Sequence, residues 1–306
     1  MHKYLFTGEM ISYNGKTLKR IKRIKDNLIG GYIEKQENLS QTGSCFVYGD
    51  AKVFGSAKVL EHAQIHDNAV VFDNAKVFNY SKINGFSSVY GDARVGDNAN
   101  INGFSKIYGQ CVVGGDSTIS DKSQIYGNAK VGGSSTVSQN AQIFGNAQVV
   151  GNPIITDDSK VYDNAKILNK VSLYNNSSVF GNAFLINYAY LCDNAKVYGD
   201  SGVGGNSYLS GNVRIFGDVK FKDRTLSRGI INTNFSSIYN FSCANITSLI
   251  NKNGVFFNVD TVELLNEHQF IQYINKFFAN NPNDPLFKEI LNETNIYLKS
   301  IRRPTF

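Results

Sequence analysis

Four histidines, His2, His62, His66 and His268, are the residues able to move a proton near neutral pH, where unperturbed imidazole titrates. His62 and His66 stand four residues apart; either could act as a general base, or be no more than a polar surface residue. Two histidines at that spacing do not complete a three-ligand zinc site, and no metal or other cofactor is expected. Cys45, Cys111, Cys192 and Cys243 are scattered without a CxxC pair, which reads as free thiols in a reducing cytoplasm. No serine or cysteine nucleophile has a plausible partner. The glycines recur at a fixed spacing and do not form a phosphate-binding loop. These residues argue for a binding surface over a catalytic centre.

The elements that must carry them follow from a period. From Val47 to Ile215, every sixth residue is Val, Ile or Leu, through 29 consecutive hexads. An unbroken period of this kind means one short unit stacked on copies of itself. With the aliphatic residue at position one, position five is nearly always Ala, Ser or Cys, and position three is Gly, Asp or Asn in 27 of 29 hexads. Residues that tolerate left-handed backbone angles place a turn in every hexad. The rest is a short strand whose small and aliphatic residues, two apart, face one way. Cys45 and Cys111 occupy the small inward position.

Position two reveals how many hexads make a coil. Every third hexad carries Phe54, Phe72, Tyr90, Tyr108, Tyr126, Phe144, Tyr162, Phe180, Tyr198 or Phe216 there, ten aromatics without exception, whereas the other two sets are mixed. The true period is therefore 18 residues, and the cross-section is a triangle. Ten coils at strand spacing give a rod of roughly 45 Å. The aromatic column points outward, as a self-stacking ladder or as an apolar stripe covered by a partner. Phe86 and Phe104, also 18 apart, add a short aromatic patch at a corner.

The unit resembles the hexapeptide repeat of left-handed parallel β-helix proteins, with a small residue two positions before the aliphatic one. The left hand comes from that resemblance, since crossover physics favours the right-handed sense. Leu18 to Asp26, then Gly30-Gly31-Tyr32-Ile33-Glu34 and Asn38-Leu39-Ser40-Gln41-Thr42-Gly43, are similar to the N-terminal region of YdcK-like bacterial and prophage β-helix proteins. The fold expected is an all-β solenoid with three hexads per coil and about ten coils over 45–221. A capping segment precedes it (1–44), and a small α+β domain follows (222–306). That domain should hold a hairpin at Asn253-Gly254 and two helices, one capped by Asn266 with Gln269, one beginning at Asp284-Pro285. Many proteins of the resembled class are acyl-CoA-dependent transferases that use a histidine base and projecting loops. No loop excursion interrupts these 29 hexads, so such an enzyme is the alternative reading.

Charge narrows the partners. Basic and acidic residues number 8 and 4 in 1–44, 14 and 14 in 45–221, and 9 and 7 in 222–306. A nucleic-acid groove on the solenoid needs a basic stripe, and none shows in these counts. Lys19, Arg20, Lys22 and Arg23 alone could bind nucleic acid, although Leu18, Ile21 and Ile24 among them fit a capping strand with a solvated basic face. No apolar run reaches membrane-spanning length, and no secretory signal is evident, so a cytoplasmic protein is expected. The function expected is non-catalytic protein binding or scaffolding, with a sister subunit or a foreign protein as partner. The phage-like ends make inhibition of a host antiviral protein, a CRISPR-type one included, the specific expectation.

Overall fold

An inward position one, an outward position six before it and a left-handed corner at position three define each side of a coil. The computed structural model describes residues 2–217, 219–222, 225–226, 230–231, 235–240, 246–251, 254–259, 265–279, 282 and 285–301. Every position-three residue from Gly49 to Gly217 has a positive φ, 29 in succession, between 52° and 108°. Even Glu61 (57°) and Gln139 (58°) adopt it.

Three strands come first, β1 (Tyr4–Tyr13), β2 (Lys16–Arg23) and β3 (Ile29–Ile33). The coils start with β4 (Phe46–Val47), β5 (Lys52–Val53) and β6 (Lys58–Val59). Each pairs in parallel with the strand 18 residues on, as in Lys52↔Val70 and Lys58↔Lys76. Three parallel walls result, here called I (from β5), II (from β6) and III (from β4). This is a parallel β-solenoid of about ten turns, as expected. Its interior is one column of fully buried Val, Ile, Leu, Ala and Ser, with Cys45 and Cys111 among them. Burying each large aliphatic side chain stabilises by about 1.5–3 kcal/mol. Most inward serines are tolerated because the hydroxyl donates to the carbonyl three residues earlier, as in Ser81 to Phe78 and Ser117 to Gly114, both 2.7 Å; a buried hydroxyl without an acceptor is costly, and Ser177 is the one described side chain so placed.

The first coil is covered. β1 and β2 form an antiparallel hairpin, β2 pairs with β3, and β3 pairs in parallel with β5, extending wall I. Leu39 bridges to Val59 on wall II, and Asn38 donates to the Gly55 and Ala57 carbonyls. Gly30 and Gly31 lie so close to Phe46, Val47 and Ala51 that a Cβ on either would stand 2.5–2.6 Å from a backbone oxygen. Leu18 and Ile21 are buried, but Ile24 is 42% exposed, against the expected alternation. A bulge between Arg20 and Lys22 shifts the register, and the strand ends at Arg23.

At the other end, pairing continues beyond residue 221, where the hexads stop. Strands Lys220–Lys222, Thr225–Leu226 and Ile230–Ile231 extend walls II, III and I. Beyond them, strands Phe235–Asn240, Ile246–Asn251, Gly254–Val259 and Leu265–Asn266 form an antiparallel sheet. Asn251 pairs with Gly254, which therefore belongs to a strand; Asn253 of the expected Asn253-Gly254 hairpin lies outside the described residues. Helix α1 (Glu267–Phe277) has the expected capping box of Asn266 and Gln269. Helix α2 begins at Pro285 and runs to Ile301; Asp284 lies outside the described residues, as does Cys243. Phe257, Phe270, Ile274, Phe278 and Ile290 form a second core.

Candidate functional site

The aromatic column is continuous. Parallel in-register pairing puts each position-two ring above the last, and nine successive ring pairs stack from Phe54–Phe72 (5.2 Å) to Tyr198–Phe216 (4.8 Å), within 10° of parallel. Phe54 is buried and the other nine rings are half-buried. At this spacing the ring faces cover one another and only edges meet solvent; stacking adds about 0.5–1.5 kcal/mol per pair beyond area. Burial pushes the hydroxyls of Tyr90, Tyr108, Tyr126 and Tyr162 above the usual tyrosine range. Phe86 and Phe104 also stack (5.1 Å), but they stand out from the corner between walls III and I, 58% and 57% exposed.

The basic N-terminal residues are tied to the cap. Arg20 lies over the Tyr32 ring (4.9 Å) and donates to Glu9, the Tyr32 hydroxyl and the Gly30 carbonyl. Arg23 lies over Phe46 (4.9 Å) and donates twice to the Asp26 carboxylate. Lys19 lies over the Phe6 ring, and Lys22 sits half-buried on the same strand. The two arginines staple the hairpin to the first coil.

The histidines have partners that sequence distance concealed. His66 stacks on Tyr48 (4.3 Å) and its Nε2 lies 3.0 Å from Gln64 Oε1; burial holds its imidazole below the usual range. His62 Nδ1 lies 2.9 Å from Ser44 Oγ, and its ring stacks on Tyr80 at 4.6 Å. The expectation that no serine has a partner is thus corrected, because Ser44 and His62 are one coil apart. With Gln64, Lys82, Asn98 and Asn100 they line an open hollow of about 560 Å³. Among the described residues, no carboxylate hydrogen-bonds to His62, so the nucleophile–base–orienter series of covalent catalysis lacks its third group here. Nor do three His, Cys, Asp or Glu side chains gather for a metal ion among them.

Charge, neutral by count along the solenoid, is segregated by position. All 14 acidic residues of 45–221 fall at positions three and four, the corners, whereas 12 of the 14 basic residues fall at position six. The eight position-three acids each accept the backbone N–H of the same corner one coil on, Asp67 from Gly85 and Asp97 from Gly115 for example. Wall II therefore shows Lys58, Lys76, Arg94, Lys130 and Lys166 in one column, all exposed. This corrects the reading of a solenoid without a basic stripe; segment totals average over the position that separates the signs. No described helix is long and apolar enough to cross a membrane. No protein-family model and no curated protein matches the chain.

Proposed function

We propose that this protein is a non-catalytic binding rod that engages a partner protein through its side walls. One observation carries the reading: Phe86 and Phe104 present a stacked, exposed aromatic pair on a rigid corner, and rigid aromatic anchors dominate interface energetics. The ladder beside them supplies a stiff, loop-free support. The N-terminal sequence signals favour the left-handed YdcK-like prophage type, and a host antiviral protein occluded by the rod is the partner that this type implies.

The test replaces the pair with Phe86→Lys/Phe104→Lys and, separately, ladder rings with Tyr108→Lys/Tyr126→Lys. The expected outcome is that the corner variant loses a partner or oligomer held by the unchanged protein, measured by light scattering and pull-down, with its melting curve unmoved. The ladder variant should lose stability, by roughly 0.5–1.5 kcal/mol for each stacked pair disrupted. A corner variant that keeps every complex defeats the proposal. The acyl-transferring alternative rests on the Ser44–His62 pair; a melting temperature unmoved by acetyl-CoA removes it.

A further inference from the structure

We propose that wall II is a docking surface for single-stranded nucleic acid, whose phosphodiester backbone runs along Lys58, Lys76, Arg94, Lys130 and Lys166. This is independent of the aromatic corner and of the protein partner proposed for it.

The first argument is energetic. Lys58 pairs in register with Lys76, and Lys76 with Arg94, so three cations project side by side from neighbouring strands. Like charges directly opposite one another in a sheet are destabilising. Nothing in the strand demands them: wall III carries Gln64, Asn100, Thr118 and Thr136 at the same position. Nor does an internal acid relieve them. The four ion pairs among the described residues all belong to the N-terminal cap or its contact with Asp50, and the position-three acids of the coils are held by corner N–H groups. An external polyanion supplies the missing counter-charge.

The second argument is shape. The row is one side chain wide and follows the rod axis, with Val112 and Gln148 as its gaps. Alongside it, position two of the middle coils is Gly96, Gly114 and Gly132; the space beside Gly132 is open, whereas the Asp97 carboxylate stands 2.7 Å from where a Cβ on Gly114 would be. The half-buried Phe78 ring lies over the Gly96 gap, within 2.6 Å of where a Cβ would be. A single file of cations beside an aromatic ring fits a chain of phosphates with stacking bases. A membrane would need a plane of such groups.

The test uses the full chain and a fluorescent 20-nucleotide oligothymidine in an anisotropy titration. Four engaged phosphates give a salt slope near −2.8, so affinity should fall about fifty-fold between 50 and 200 mM salt. Lys58→Glu/Lys76→Glu/Arg94→Glu should weaken binding at least tenfold, while Lys106→Glu/Lys160→Glu on wall I should leave it within twofold. Lys58→Gln/Lys76→Gln/Arg94→Gln, introducing a residue that position six accepts at Gln64, Gln124 and Gln148, stands in should the reversal disturb folding. The proposal is overturned by absent or salt-insensitive binding, or by equal loss from wall I. It is equally overturned if polyglutamate or anionic vesicles compete as well as unlabelled oligothymidine.

Discussion

Gly115 and Gly49 occupy the same position of the hexad but meet different neighbours. A Cβ on Gly49 would stand 3.3 Å from the Asp67 carbonyl oxygen, whereas one on Gly115 would stand 2.3 Å from that of Gly133. Both have positive φ, 59° and 66°. Alanine at 49 should therefore cost only the left-handed penalty, about 1–2 kcal/mol. At 115 it must also push two coils apart, and thermal melting should show a further loss of at least about 1 kcal/mol, as overpacking does. Equal losses would mean that the spacing between coils is slack. At this scale, position was legible and partnership was not. The hexad marks Asp97 as a corner residue, but only stacking shows its carboxylate bound to Gly115 N–H.

Among the elements, the N-terminal cap is where pH should act. Glu9 is held below the usual carboxylate range by the Tyr32 hydroxyl and Arg20, Asp26 by Arg23, and Glu34 by the Gly55 N–H and Lys16. Each pKa is lower folded than unfolded, so the stabilisation is complete above the ordinary carboxylate range and is lost as pH falls through the folded value. Glu9 and Asp26 are exposed and contribute little; Glu34 is more enclosed, its side chain 23% exposed. Urea unfolding should show stability falling between about pH 5 and pH 3, less steeply in Glu34→Gln. An identical slope in the variant would remove Glu34 from this account. The cap was legible from Leu18, Ile21 and the Gly-Gly pair. The arginine staples were not, because Arg23 reaches Phe46 across 23 residues, and strand alternation says nothing of such contacts.

For the whole molecule, stability should be nearly additive over coils, each touching only its neighbours. Deleting residues 128–145 joins Gly127 to Asn146, both in the same corner, and keeps every wall in register. Deleting residues 128–133 preserves the hexad but places Val150 above Tyr126, rotating all later walls by one. The 18-residue deletion should melt within a few degrees of the full protein, and the six-residue deletion well below it. Similar melting of the two would show that the aromatic period has no structural weight. Sequence by itself determined the triangular coil, the inward column, the corners and the ladder, because each depends on residue types repeated in one local environment. It missed the last turn, since the paired positions close from 18 apart (Gly202↔Lys220) to 17 (Tyr208↔Thr225) and 16 (Arg214↔Ile230), where a fixed period fails. Only the tertiary structure decided that Ser44 Oγ meets His62 Nδ1 and that the position-three carboxylates accept the corner N–H groups one coil on. Those facts depend on which coil lies beside which, and a neighbour one coil away is a stranger along the chain.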